Sequence, residues 1–97
     1  MVSKIQLLKQ LKAELPNLAK DFHVKRIGLF GSYARGEQKN KSDIDLLVEF
    51  SEAPDFLEFI ALEQYLSEKF EEKVDLVTPN ALSPIIRTNI ENDLVYA

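Results

Sequence analysis

Two aspartates separated by one apolar residue, Asp43-Ile44-Asp45, are the residues of this chain best suited to chemistry. They open a segment whose even positions are Ile44, Leu46, Val48 and Phe50. That alternation is the pattern of a strand with one buried face. Asp43 and Asp45 then share the other face, roughly 7 Å apart along the chain. Hard divalent cations such as Mg²⁺ prefer carboxylate oxygens, and one or two carboxylates hold them together with substrate phosphates.

Ten residues upstream of this pair stands Gly31-Ser32, at the end of the short branched and aromatic run Val24–Phe30. A buried strand that runs into Gly-Ser and then into Tyr33-Ala34-Arg35 predicts a tight turn opening a helical turn, whose unpaired N–H groups face an anion. Gly31 lets a phosphate approach the backbone, and Ser32 adds a hydroxyl donor. A Gly-Ser pair alone ends many strands, so its meaning comes from its neighbours. Arg35, three residues after Ser32, shares a side of the turn with it. Its guanidinium there either reaches a phosphate or pairs with an acidic neighbour.

A third carboxylate comes later. In Lys73–Thr78, KVDLVT, Val74 and Leu76 share one face of a short strand and Asp75 takes the other. An isolated aspartate in a strand commonly marks a sheet edge. Beside Asp43 and Asp45 it completes a set that suits two ions about 4 Å apart, clamping an in-line displacement at phosphorus. Asp75 would then lie on the second ion's side or take the proton of the attacking hydroxyl.

The remaining segments read as support. Ser3 and Gln6 form a capping box ahead of Ile5, Leu8, Leu11 and Leu15, an apolar stripe that Pro16 interrupts; Leu18, Ala19 and Phe22 extend it as a second, shifted helical piece. His23, the only histidine, has no carboxylate or nucleophile motif beside it and takes a surface or helix-end position. Residues 36–42 are polar, with Lys39 and Lys41, and read as an exposed loop. Asp55 and Glu58 cap a long helix with Phe56, Phe59, Leu62, Leu66 and Phe70 on its core stripe; Ile60 and Tyr65 lie toward the edge, where surplus apolar surface would suit a protein interface. Pro79-Asn80 makes a turn. Ser83-Pro84 starts a last helix, in which Leu82, Ile86, Ile90 and Leu94 step by four and pack on the sheet.

Length and composition bound the rest. The 97 residues make one domain, 1–97, with room for one modest core. With 45% hydrophobic and 29% charged residues the chain folds rather than staying disordered. The net charge of -4, from 16 acidic and 12 basic residues, argues against broad nucleic-acid binding. No cysteine is present, which excludes disulfides, thiolate metal sites and a cysteine nucleophile. Lys and Gln interrupt the leucines of MVSKIQLLKQLK, so that stretch lacks the run of a signal peptide or membrane span, and a cytoplasmic (prokaryotic) protein is expected. Alternating helices and strands predict an α+β fold with a small mixed sheet flanked by helices.

Gly31-Ser32, ten residues, then Asp43-Ile44-Asp45 resembles the signature of the DNA polymerase beta-like nucleotidyltransferases, and the short chain resembles their minimal members, the MNT or MntA-type antitoxins. The likeness spans FGSYARGEQKNKSDIDLLVEF, the following helix and KVDLVTPNAL. It implies the polymerase beta palm-like fold, with Gly31 and Ser32 cradling the phosphates of ATP and Asp43, Asp45 and Asp75 holding Mg²⁺. Arg35 joins the nucleotide-binding set. It further implies a HEPN-domain toxin as partner, silenced by transfer of AMP to a tyrosine hydroxyl. Two rivals stand beside that reading: an antitoxin that only covers its partner's active site, and nucleotidyl transfer to RNA or a small hydroxylated compound. The acidic balance disfavours RNA, and one domain leaves no room to bind a small acceptor. No residue pattern specifies the adenine base.

Overall fold

A computed structural model describes residues 3–39 and 42–97, so Asn40 and Lys41 of the expected 36–42 loop lie outside the described residues. Helix α1 (Lys4–Phe22) leads into strand β1 (Val24–Phe30), the one-turn helix α2 (Gly31–Arg35) and strand β2 (Ile44–Phe50). Helix α3 (Phe56–Phe70) crosses to strand β3 (Val74–Val77). A 3₁₀ turn (Pro79–Ala81), helix α4 (Pro84–Asp93) and a short strand β4 (Val95–Tyr96) complete the chain. The four strands form one mixed sheet in the order β3-β2-β1-β4. β1 is antiparallel to β2 and β4, and β2 is parallel to β3.

The alternation of β2 sorts the sheet into two faces. Ile44, Leu46 and Val48 are fully buried with Ile27 and Leu29 of β1 and Val74 and Leu76 of β3, beneath α1 and α3. This one core supplies most of the apolar burial that drives folding. Both expected capping boxes are present: the Ser3 side chain accepts from the Gln6 N–H, and Asp55 accepts from that of Glu58. His23 ends α1 in a left-handed conformation with φ 58, its N–H donating to the Leu18 carbonyl, which is the helix-end position expected.

Four expectations are corrected. Pro16 does not divide α1: it sits at an exposed position, removes one backbone hydrogen bond, and the helix runs through. The buried stripe of α1 is Leu7, Leu11, Glu14 and Leu18, while Ile5 is 69% exposed. The leucine-rich segment supports two stripes, and contact with α3 selects the one that places Glu14 between the helices. There Tyr65 Oη donates to Glu14 Oε2 at 2.6 Å and Lys69 Nζ lies 3.2 Å from Oε1. On α3, Leu62, Leu66 and Phe70 are buried, but Phe56, in the first turn, is 76% exposed. The chain ends in a strand rather than a helix, and of the four-step series on α4 only Ile90 is buried, with Ile86 exposed.

Candidate active site

The site forms where β1 ends, β2 begins and β3 begins. Phe30 pairs with Asp45 across the antiparallel ladder, and Asp45 pairs with Asp75 across the parallel one. Register therefore places the Gly31 turn, Asp45 and Asp75 in one row across three strands. Adjacent strands lie about 4.8 Å apart, so residues 30 apart in sequence face one volume. Asp43 sits one residue ahead of β2, half-exposed, with Lys73 Nζ 3.7 Å from its Oδ2. The Ile44 N–H donates to the Lys73 carbonyl at 2.9 Å and fixes this corner.

Gly31 is required twice. Its φ of +76 lies in the left-handed region, and a methyl group there would collide with the Asp45 carboxylate. The turn and the aspartate strand are thus in direct contact. Tyr33 and Ala34 bury their side chains in the core, which leaves Gly31 and Ser32 half-buried and Arg35 exposed. Gly36, at φ +71, closes α2 by donating to the Ser32 and Tyr33 carbonyls.

Arg35 combines a position beside the site with acidic partners. Its Nε lies 2.9 Å from Glu37 Oε2 and its Nη1 2.7 Å from Asp93 Oδ2, at the end of α4. Those bonds, Glu37 first, raise its already high pKa. Of the two roles expected for it, the acidic pairing is present. Lys73, Glu37 and Asp93 were not singled out from sequence. Asp93 is 58 residues from Arg35, and no local pattern marks it.

Asp45 carries the electrostatic signature of the site. Burial, then the neighbouring charges of Asp75 and Asp43, push its carboxyl up to about 6, partly offset by Arg35. Crowded carboxylates of this kind are a hard-cation donor set, and bound positive charge would relieve their repulsion. Asp43, Asp45 and Asp75 fit Mg²⁺ on that ground. Among the described residues no three His, Cys, Asp or Glu side chains are grouped closely enough to enclose an ion by themselves. That is compatible with Mg²⁺, which takes part of its shell from water and substrate phosphate.

A fold of this topology with a glycine turn over paired aspartates defines a class, and comparison with known proteins gives the same class. A family model described as "nucleotidyltransferase domain" matches residues 6–97. The chain belongs to this nucleotidyltransferase family, among its minimal, protein-adenylyltransferase-type enzymes. A Methanocaldococcus jannaschii protein named as a protein adenylyltransferase is 55% identical over 80 residues, covering 81% of this chain and 82% of its own. A solved minimal nucleotidyltransferase superposes with a TM-score of 0.81 at 31% identity, covering 97% of this chain and 95% of its own. A toxin–antitoxin complex solved with AMP-PNP matches with a TM-score of 0.72 at 28% identity, covering 88% of this chain and 70% of that one.

Proposed function

We propose that this protein is the antitoxin of a toxin–antitoxin pair, transferring AMP from ATP to a tyrosine hydroxyl of a HEPN-domain toxin in the cytoplasm. The observation that carries the reading is the contact of the Gly31 turn with Asp45 in one row with Asp75. The Gly31 and Ser32 N–H groups and the Ser32 hydroxyl bind the triphosphate, and Arg35 adds positive charge beside it. Asp43, Asp45 and Asp75 hold Mg²⁺, which when bound neutralises phosphate charge and favours attack at the α-phosphorus. The toxin's hydroxyl oxygen forms the new bond to that phosphorus, the bond to the β-phosphate oxygen breaks, and pyrophosphate leaves. Asp75, exposed beside Asp45, either lies on the second ion's side or accepts the hydroxyl proton. Likeness to an antitoxin-containing complex solved with AMP-PNP supports both the nucleotide and the kind of partner.

The test is to incubate the protein with ATP, Mg²⁺ and the matched toxin and record the toxin's intact mass. A gain of one or more AMP groups is expected; an active toxin that gains none overturns the reading. A second reading, neutralisation by masking, is favoured by a specific surface. Phe56 is exposed and lines an open groove of about 810 Å³, and Leu57, Ile85 and Ile86 are likewise exposed in the first turns of α3 and α4. A protein with both Asp43→Asn and Asp45→Asn separates the two, since a masking antitoxin still protects cells from its toxin.

A further inference from the structure

We infer that the two carboxylates on Arg35 act on nucleotide binding in opposite directions: Asp93 positions the guanidinium, and Glu37 occupies the place that a substrate phosphate takes; this rests on the reading above that puts the phosphates on the Gly31-Ser32 turn. α2 is a single turn, about 7.5 Å long at roughly 1.5 Å per residue. Arg35, one turn on from Ser32, shares its side of the helix. Its guanidinium therefore lies within reach of a phosphate chain on the turn.

Asp93 breaks a local rule. It is the last residue of α4, where a carboxylate meets the negative end of the helix dipole, and no basic residue stands in that last turn. The helix itself disfavours a negative charge there, so its place is explained by a distant partner: its Oδ2 accepts from Arg35 Nη1 at 2.7 Å, 58 residues away in sequence. The Asp93 side chain is 25% exposed, on a ten-residue helix anchored by the buried Ile90. It is a short, fixed carboxylate, and it braces the guanidinium from the Nη1 end.

Glu37 is the opposite kind of partner. It accepts from Arg35 Nε at 2.9 Å with a side chain 65% exposed, in the polar stretch that follows α2. Its own N–H donates to the Ser32 carbonyl at 2.8 Å, which keeps it against the phosphate turn. A long, exposed glutamate gives up much rotamer freedom when it pairs, and exposed ion pairs hold weakly. A phosphate oxygen offers the guanidinium the same charge-assisted bond with more negative charge behind it. It replaces Glu37 at Nε while Asp93 keeps Nη1, so the guanidinium meets the nucleotide already oriented.

Calorimetric titration of the intact protein with ATP and with inorganic triphosphate, each with Mg²⁺, tests this. Glu37→Gln is expected to tighten both ligands roughly 3-fold and Asp93→Asn to weaken both roughly 3-fold, the scale of one part-exposed ion pair. Arg35→Gln should weaken both ligands, and in that background the weakening by Asp93→Asn should disappear, because it acts through the guanidinium. A merely structural ion pair would move the melting temperature without this split in sign. If both carboxylate variants tighten the ligands, lost negative charge alone is at work; if both weaken them, the turn has lost its shape. Either result overturns the opposed roles and leaves the nucleotide site standing, as does weakening by Asp93→Asn that persists without Arg35. Glu37→Gln and Arg35→Gln, at exposed positions, decide the matter even if Asp93→Asn lowers stability: parental affinity in either overturns the proposal. A parent protein that binds neither ligand overturns the nucleotide-binding reading itself.

Discussion

The two faces of the sheet are made from the same strands and spent differently. On one face Ile44, Leu46 and Val48 are fully buried under α1 and α3. On the other, Asp45 sits among like charges, Gly28 leaves room for Leu94 and Tyr96, and α4 buries a single residue over a cavity. The first face makes the fold stable. The second is free to hold repelling carboxylates because the first does not depend on it.

The sharpest way to break this comparison is a pair of adjacent substitutions. Asp45→Asn should lower AMP transfer at least about 100-fold, a loss of several kcal/mol of charge stabilisation, with a native circular dichroism spectrum. Leu46→Ala, one residue along, should cost about 2–5 kcal/mol in urea unfolding while surviving folded protein keeps its activity. If both variants lose stability equally, the faces are not independent. Gly31→Ala comes next, since it imposes a left-handed alanine and presses the Asp45 carboxylate; about 1–3 kcal/mol should be lost along with ATP binding.

A pH comparison is more delicate. Asp45 titrates near 6 in the fold against 3.8 as a free group, so its contribution to stability is greatest below 3.8 and falls as pH rises through about 6. Asp45→Asn should therefore melt above the parent protein at pH 8 without metal, by on the order of 1 kcal/mol given solvent screening of a half-exposed group, and lose that advantage toward pH 4. With Asp45 in the proposed role of Mg²⁺ ligand, the ion would displace a proton from it below about pH 6, so Mg²⁺ affinity should rise with pH up to that point and level off above it. Chelation with EDTA should abolish transfer and leave the fold intact. The smallest effect is expected on the stable face: Tyr65→Phe removes the bond to Glu14 and should cost about 1 kcal/mol with no change in transfer rate.

The half of the molecule that is local in sequence was legible there. Strand, glycine turn and aspartate strand fall within Val24 to Phe50, and strand periodicity puts Ile44, Leu46 and Val48 on one face and Asp45 on the other. The capping boxes at Ser3 and Asp55 and the helix-end position of His23 are likewise short-range signals. Features set by distant partners were not legible. Leucines at 7, 8, 11, 15 and 18 permit more than one stripe, and only packing against Tyr65 and Lys69 selects the one containing Glu14. Phe56 fits the helical period but stands at the first turn of α3, exposed. Strand β4 is two residues long, too short for alternation to register, and owes its conformation to pairing with Gly28 and Leu29. Arg35 could be placed beside the site, whereas its Asp93 partner depends on where α4 ends.

The parallel pairing of β2 with β3 has a kinetic consequence. Asp45 and Asp75 meet only after α3 has crossed the core and its loop has closed, one of the costlier steps in ordering this chain. Nucleotide transfer should consequently return no earlier than this pairing, which makes catalysis itself a reporter of completed folding.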